Sequence, residues 1–146
     1  MLRMEPSISL AELIEIGAPQ VTQIENIAKR FPDPDSPEAC TAFKKQVFIV
    51  EGVVQQIYRS VASMSRKTET LSDIADMWEK MGRFCDVALE TLRALKDRYA
   101  NCGAPELYNL VLDYKLACDK RYKGVLEEIS CLDRGSLPTQ LFPQSI

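Results

Sequence analysis

The sequence predicts an all-α protein, an antiparallel up-down four-helix bundle in which three helices are long and the N-terminal helix is shorter and kinked. Two segments carry apolar residues at alternating steps of three and four, the spacing of one face of an α-helix. Such long faces are buried only by coiled-coil-like packing against another helix. The first face comprises Cys40, Phe43, Val47, Val50, Val54, Ile57, Val61 and Met64, and the second comprises Leu71, Ile74, Trp78, Met81, Cys85, Ala88, Leu92, Leu95 and Tyr99. Because only residues 65–70 separate them, we expect the later helix to fold back along the earlier one, face against face.

A single domain of 146 residues with few glycines agrees with this fold class. Residues 1–8 are expected to form a loose leader before a first helix over 9–30. Ser9 and Glu12 have the spacing of a capping box at its start. The Gly-Ala-Pro sequence at 17–19 predicts a kink or a break within it. Its inward residues are Val21, Ile24, Ala28 and Phe31.

Three further helices follow from caps and apolar spacing. Ser36 is the predicted N-cap of a helix over 37–66, which has proline at its first position. A helix over 71–100 follows, and Gly103 is expected to end it in a left-handed conformation. The last helix covers 105–134. Its apolar face comprises Tyr108, Val111, Cys118, Tyr122, Val125, Ile129 and Leu132, with Lys115 as the polar interruption.

The tail over 136–146 contains two prolines and cannot form a regular helix. It carries four apolar residues, Leu137, Leu141, Phe142 and Ile146. These predict either a tail that docks on the bundle or frays, or a short extended ligand, centred on Leu141 and Phe142, for another protein.

Charge and hydropathy exclude several classes of partner. The net charge is −3, and the sequence has no dense basic stripe of the kind that nucleic-acid binding requires. No segment approaches the roughly 18 consecutive apolar residues of a membrane span. Glu12 and Glu15 stand where a signal peptide would need an apolar core, so we expect a cytoplasmic protein.

Five cysteines, without any CxxC pair, are typical of reduced intracellular thiols. Cys40, Cys85 and Cys118 occupy apolar helical positions and are expected to act as small buried apolar groups. Cys102 instead lies in an Asn-Cys-Gly turn that solvent would reach. Cys102 is therefore a possible exposed thiol with a reactive or regulatory role, in place of a buried apolar one, although no neighbouring residue would clearly lower its pKa.

Histidine is absent, which removes the commonest general base, the usual nucleophile pairs and most metal sites. Di-iron bundles need Glu-x-x-His pairs, and no glycine-rich phosphate loop occurs. The acidic pair Asp73 and Asp76 is explained by the start of a helix, where negative charge is favourable. The sequence therefore predicts no catalytic residue, no metal ligand and no cofactor.

Phe48 is an apolar outlier on the second helix, because it falls nearly opposite the buried face. Its neighbours on that side are Thr41, Lys45, Gly52, Gln55 and Arg59. Gly52, one turn further on, leaves a notch and costs about 1 kcal/mol of helix propensity relative to alanine. Either the first helix or the tail covers Phe48, or Phe48, Ile49 and Gly52 form the centre of a dimer or partner interface.

The sequence thus favours a non-enzymatic interaction module that acts through helix surfaces. We expect an adaptor, an assembly subunit or a chaperone- or effector-like protein that binds another protein or itself through the second helix. The alternative is a bundle that binds an apolar small molecule or lipid in its core.

Overall fold

The computed structural model describes residues 9–63 and 70–133, and within these ranges it contains α-helices, a short 3₁₀ turn and no strand. The helices are α1 (Leu10–Arg30), α2 (Pro37–Ala62), α3 (Leu71–Leu95) and α4 (Ala104–Asp133), with the 3₁₀ turn at Ala100–Cys102. The all-α four-helix bundle is confirmed. None of the described helices combines the length and the apolar composition that a membrane crossing needs.

The helices begin where the side-chain caps predict. The Ser9 hydroxyl accepts the Glu12 N–H at 3.1 Å, and the Glu12 carboxylate accepts the Ser9 N–H at 3.0 Å. This is the predicted capping box, which satisfies two of the otherwise unpaired N–H groups of the first turn. The Ser36 side chain accepts the Ala39 N–H at the start of α2, and the Thr70 side chain accepts the Asp73 N–H at the start of α3.

The helix ends differ from the predicted ones. Pro19 lies inside α1, which is one continuous helix, so a break at this point is wrong. Both α2 and α3 end four to five residues early, at Ala62 and Leu95. After α3 the chain tightens into the 3₁₀ turn. Gly103 then adopts φ 91°, the predicted left-handed conformation.

The glycine at position 17 explains why α1 can pass close to two other helices. A Cβ there would lie 2.6 Å from Val53 Cγ1 and 3.1 Å from Phe84 Cζ. Both distances are shorter than a relaxed carbon contact. Gly17 is therefore required by packing among α1, α2 and α3.

The helices alternate in direction, as predicted, but their lateral order is not the chain order. The start of α2 meets the segment just after α3 where Phe43 stacks on Tyr99, and the end of α2 meets the start of α3 where Tyr58 contacts Trp78. The two helices are therefore antiparallel. The most extensive pairings are α1 with α2 and α3 with α4, with α1 also beside α3 and α2 beside α4.

This packing corrects the expected pairing of α2 and α3. They meet only across the centre of the bundle, and among the described residues α1 and α4 show no close backbone approach. The bundle is therefore two antiparallel hairpins stacked side by side. The apolar face of α3 is buried mainly against α4.

The predicted apolar faces form the core. Those of α2 and α3 are buried, apart from Cys40 and Leu71, which are half-buried, and Met64 lies outside the described residues. The face of α4 is less regular, because Leu107 is also fully buried and Leu132 is 54% exposed. With 30 residues, α4 is longer than α3, which has 25.

Candidate interaction surface on α2

Phe48 is the most exposed large apolar side chain in the described part of the chain, with 75% of its surface accessible. It lies on the outer face of α2, away from the core residues Val47 and Val50. Neither α1 nor any other described helix covers it. The alternative in which the first helix covers Phe48 is therefore wrong. The tail residues Leu141 and Phe142 lie outside the described residues.

Gly52 leaves an open surface one helical turn beyond Phe48. A Cβ at this position would have no neighbour within 4 Å, so packing within the chain does not require glycine here. Gly124 on α4 is equally open, but no aromatic residue lies one turn away from it. The aromatic ring beside an open glycine is therefore particular to α2.

Polar residues surround this pair on the outer face of α2. Thr41, Lys45, Gln56 and Arg59 are exposed along the helix. Within the described ranges, neither Lys45 nor Arg59 has an ion-pair partner. Ile49, 36% exposed, flanks Phe48. An apolar centre with a polar surround is the usual composition of a protein interface.

The other large apolar side chains that are exposed within residues 9–63 and 70–133 lie on three different helices. They are Ile16, Val87, Leu116, Leu126 and Leu132. Single exposed aliphatic residues are normal on soluble proteins and need no partner. Phe48 differs because it is aromatic and has Ile49 and Gly52 beside it.

Two grooves run between the hairpins. The groove between α1 and α3 has a volume of about 400 Å³ and a mainly apolar lining, which includes Ile14, Val21, Phe84 and Val87. The groove between α2 and α4 has a volume of about 640 Å³. Its lining is Tyr58, Glu106, Asn109, Leu110, Asp113, Tyr114 and Ala117. These grooves follow from the stacking of two hairpins, whose side-by-side contacts are less extensive than those within each hairpin.

Cys102 is buried, with 1% of its surface accessible, so the prediction of an exposed thiol is wrong. The 3₁₀ turn directs this side chain inward, against the start of α2. Burial and the neighbouring Cys40 thiol raise the pKa of the Cys102 thiol to about 11. A thiol with so high a pKa is almost wholly protonated at neutral pH and is a poor nucleophile.

Cys85 and Cys118 are fully buried and in contact between α3 and α4. The hydrogen bond with Cys118, together with burial, raises the pKa of Cys85. The burial of Cys85 and Cys118 agrees with their predicted role as small apolar core residues. No group of three or more Cys, Asp or Glu side chains in the described ranges is arranged to hold a metal ion.

Comparison with known proteins gives no family for this chain. No protein-family model matches it, and no curated protein or solved structure matches it significantly.

Sequence reasoning located the Phe48 surface but missed the thiol contacts. Helical periodicity separates an outer face from a buried one within a single helix, which is sufficient to find Phe48. The cysteine contacts join different elements, so no spacing in the sequence marks them.

Proposed function

We propose that this chain is a non-enzymatic protein–protein interaction module, an adaptor, assembly subunit or chaperone- or effector-like protein, that self-associates through the outer face of α2. The observation that carries this proposal is the 75% exposure of Phe48 beside the open Gly52. Transferring a phenylalanine side chain from water into a packed interface is favourable by about 1.5–3 kcal/mol. A dimer buries two such rings.

The surface is complementary to itself in an antiparallel two-fold arrangement. When two copies of α2 cross at the level of Val50, residues equally far from Val50 on either side face each other. Phe48 of each copy then lies against Gly52 of the other, where the missing side chain makes room for the ring. The Phe48 ring of each copy therefore fills the space beside Gly52 of the other copy, and the contact occurs twice.

The same crossing gives a compatible polar rim. Lys45 of one copy lies near Gln55 of the other, and Arg59 lies near Thr41. Neither pair brings like charges together. Rim charges of this kind contribute more to specificity and association rate than to affinity.

Molar mass by light scattering after size-exclusion chromatography tests this proposal on the reduced full chain and on Phe48→Glu. We expect the unaltered chain at twice the monomer mass and Phe48→Glu at the monomer mass with the same helical circular dichroism. The matched control is Leu116→Glu, which places the same charge on another exposed residue, 59% accessible, on α4. This control should dimerise.

Two results would contradict the proposal. If Leu116→Glu separates the copies as well as Phe48→Glu does, the effect comes from added charge in general and not from the α2 surface. Loss of helical signal in Phe48→Glu would instead place Phe48 within the folding core.

The apolar groove between α1 and α3 favours a second candidate, the binding of an apolar small molecule or lipid. Its volume of about 400 Å³ lies within the range of small-molecule sites. The groove opens at the surface, whereas the sequence suggested a site in the core. Native mass spectrometry of the purified chain should show a retained apolar ligand, and a ligand-free chain that also fails to bind an apolar fluorescent probe opposes this candidate.

We also propose a cytoplasmic location for the module. The odd number of cysteines supports it, because a disulfide framework would pair them all.

A further inference from the structure

Four of the five cysteines meet in two pairs, although all are distant in sequence. Cys40 contacts Cys102, and Cys85 contacts Cys118. The first pair joins the start of α2 to the 3₁₀ turn after α3. The second joins α3 to α4 within one hairpin.

Independent hydrogen bonds fix the geometry of the first pair. The Cys40 thiol donates to the Asn101 carbonyl oxygen at 3.7 Å, and Asn101 is the residue before Cys102. The Cys102 thiol donates to the Pro34 carbonyl oxygen at 4.0 Å, in the loop before α2. The Cys40 thiol thus lies against the turn that contains Cys102, and the Cys102 thiol lies against the loop that leads into the helix of Cys40.

The two pairs differ in access to solvent. Cys40 is half-buried, whereas Cys102 is 1% accessible. Cys85 and Cys118 are both 0% accessible. The first pair is therefore partly open to solvent, and the second is sealed.

We propose that Cys40 and Cys102 form a redox-sensitive dithiol, which closes into an intramolecular disulfide when the chain meets a peroxide. Hydrogen peroxide oxidises the Cys40 thiol to a sulfenic acid and is itself reduced to one water. The Cys102 sulfur then attacks the sulfenic sulfur. The sulfenic oxygen leaves with the Cys102 proton as a second water, and the S–S bond forms.

The roles of the two thiols follow from their surroundings. Cys40 is the residue that meets the oxidant, because it is the more exposed. Cys102 is the resolving thiol, and its raised pKa, about 11, makes the second step slow at neutral pH. We expect closure to accelerate as pH rises toward that value.

The disulfide has a structural consequence. It would close residues 40–102 into one loop and link the α1–α2 hairpin covalently to the α3–α4 hairpin. Cross-linking of this kind restricts the unfolded chain, so the oxidised protein should melt at a higher temperature than the reduced one.

Peptide mapping after peroxide treatment of the folded, fully reduced chain, continued until the slow second step is complete, tests the proposal. Remaining thiols are alkylated, and disulfides are assigned by mass spectrometry. We expect a Cys40–Cys102 disulfide, a mass lower by two hydrogen atoms and an intact Cys85–Cys118 dithiol.

Two variants give matched controls. In Cys102→Ser, the Cys40 sulfenic acid should persist long enough to be trapped by a cyclic diketone reagent. In Cys118→Ser, the Cys40–Cys102 disulfide should still form at the same rate. Formation of a Cys85–Cys118 disulfide first, oxidation of Cys40 without pairing, or survival of both thiols would each overturn the proposal.

Discussion

The ring of Tyr99 stacks on the ring of Phe43, with the two centroids 4.4 Å apart and the planes 5° from parallel. Both side chains are fully buried. The Tyr99 hydroxyl also donates to the Phe31 carbonyl oxygen at 2.8 Å, at the end of α1. One side chain thus connects the end of α1, the start of α2 and the α3–α4 connection.

Tyr99→Phe tests this junction, because it keeps the ring and removes the hydroxyl. The Phe31 carbonyl oxygen then loses a partner in a half-buried place, which costs on the order of 1 kcal/mol. Chemical denaturation measures the change in the free energy of unfolding. A change near zero would mean that water replaces the hydroxyl and that the stack alone forms the junction.

Leu92→Ala tests the buried face of α3. Leu92 is fully buried, so the variant loses apolar contacts and leaves a cavity, at a cost of about 2–5 kcal/mol. Urea denaturation gives the value. Val87→Ala, on the exposed side of the same helix, should change stability by less than about 0.5 kcal/mol. A loss below about 1 kcal/mol for Leu92→Ala would contradict the assigned face.

The glycines predict opposite responses to alanine. Gly17→Ala should destabilise the fold, because its Cβ would meet Val53 Cγ1 at 2.6 Å. Gly52→Ala should stabilise the monomer by about 0.5–1 kcal/mol, because its Cβ meets nothing and alanine is the better helix former. Gly124→Ala is the control for helix propensity. The three alanine variants are each made together with Phe48→Glu, which removes the proposed association, and their melting temperatures are compared. A lower melting temperature for Gly52→Ala would contradict the prediction, because it would mean that Gly52 is needed for packing within the monomer.

Lys115 predicts a loss of stability at high pH. Burial opposes the charge of its ammonium group, but hydrogen bonds to Asp86 and Asp119 outweigh burial and raise the Lys115 pKa. A raised folded-state pKa stabilises the fold at pH below the unfolded value, about 10.4, and the benefit is lost as pH rises through the folded value. The difference in unfolding free energy between the unaltered chain and Lys115→Met should therefore shrink above that pH.

A difference that stays constant across this range would contradict a role for the charge of Lys115. Lys80→Met is a suitable control, because Lys80 pairs with Asp76 on the same helix and is half exposed. Exposed pairs of this kind contribute little to stability.

The sequence was sufficient for the helices and their buried faces because both depend on local spacing. Ser9, Ser36 and Gly103 mark helix ends through bonds and backbone angles within a few residues. The stacking of the two hairpins was not accessible in this way. Any of the apolar faces satisfies the same periodicity, and only the fit of particular side chains, such as Gly17 against Val53, selects the neighbours.

The candidate surface was predicted in part for the same reason. Periodicity identified Phe48 and Gly52 as outward-facing, but whether another helix covers them is a question of tertiary packing. For Cys102 the sequence predicted exposure, and the structure shows burial. A turn with Asn and Gly predicts exposure, yet the 3₁₀ geometry directs the thiol inward, against the start of α2.

Self-association through α2 is the central claim, and the molar mass of the reduced chain over a wide range of concentrations tests it most directly. We expect a species of twice the monomer mass that dissociates on dilution. Gly52→Gln fills the space beside Phe48, so its dimer should dissociate at a higher concentration. Gly124→Gln should leave the dissociation unchanged. A chain that stays at the monomer mass up to the highest concentration would contradict the claim.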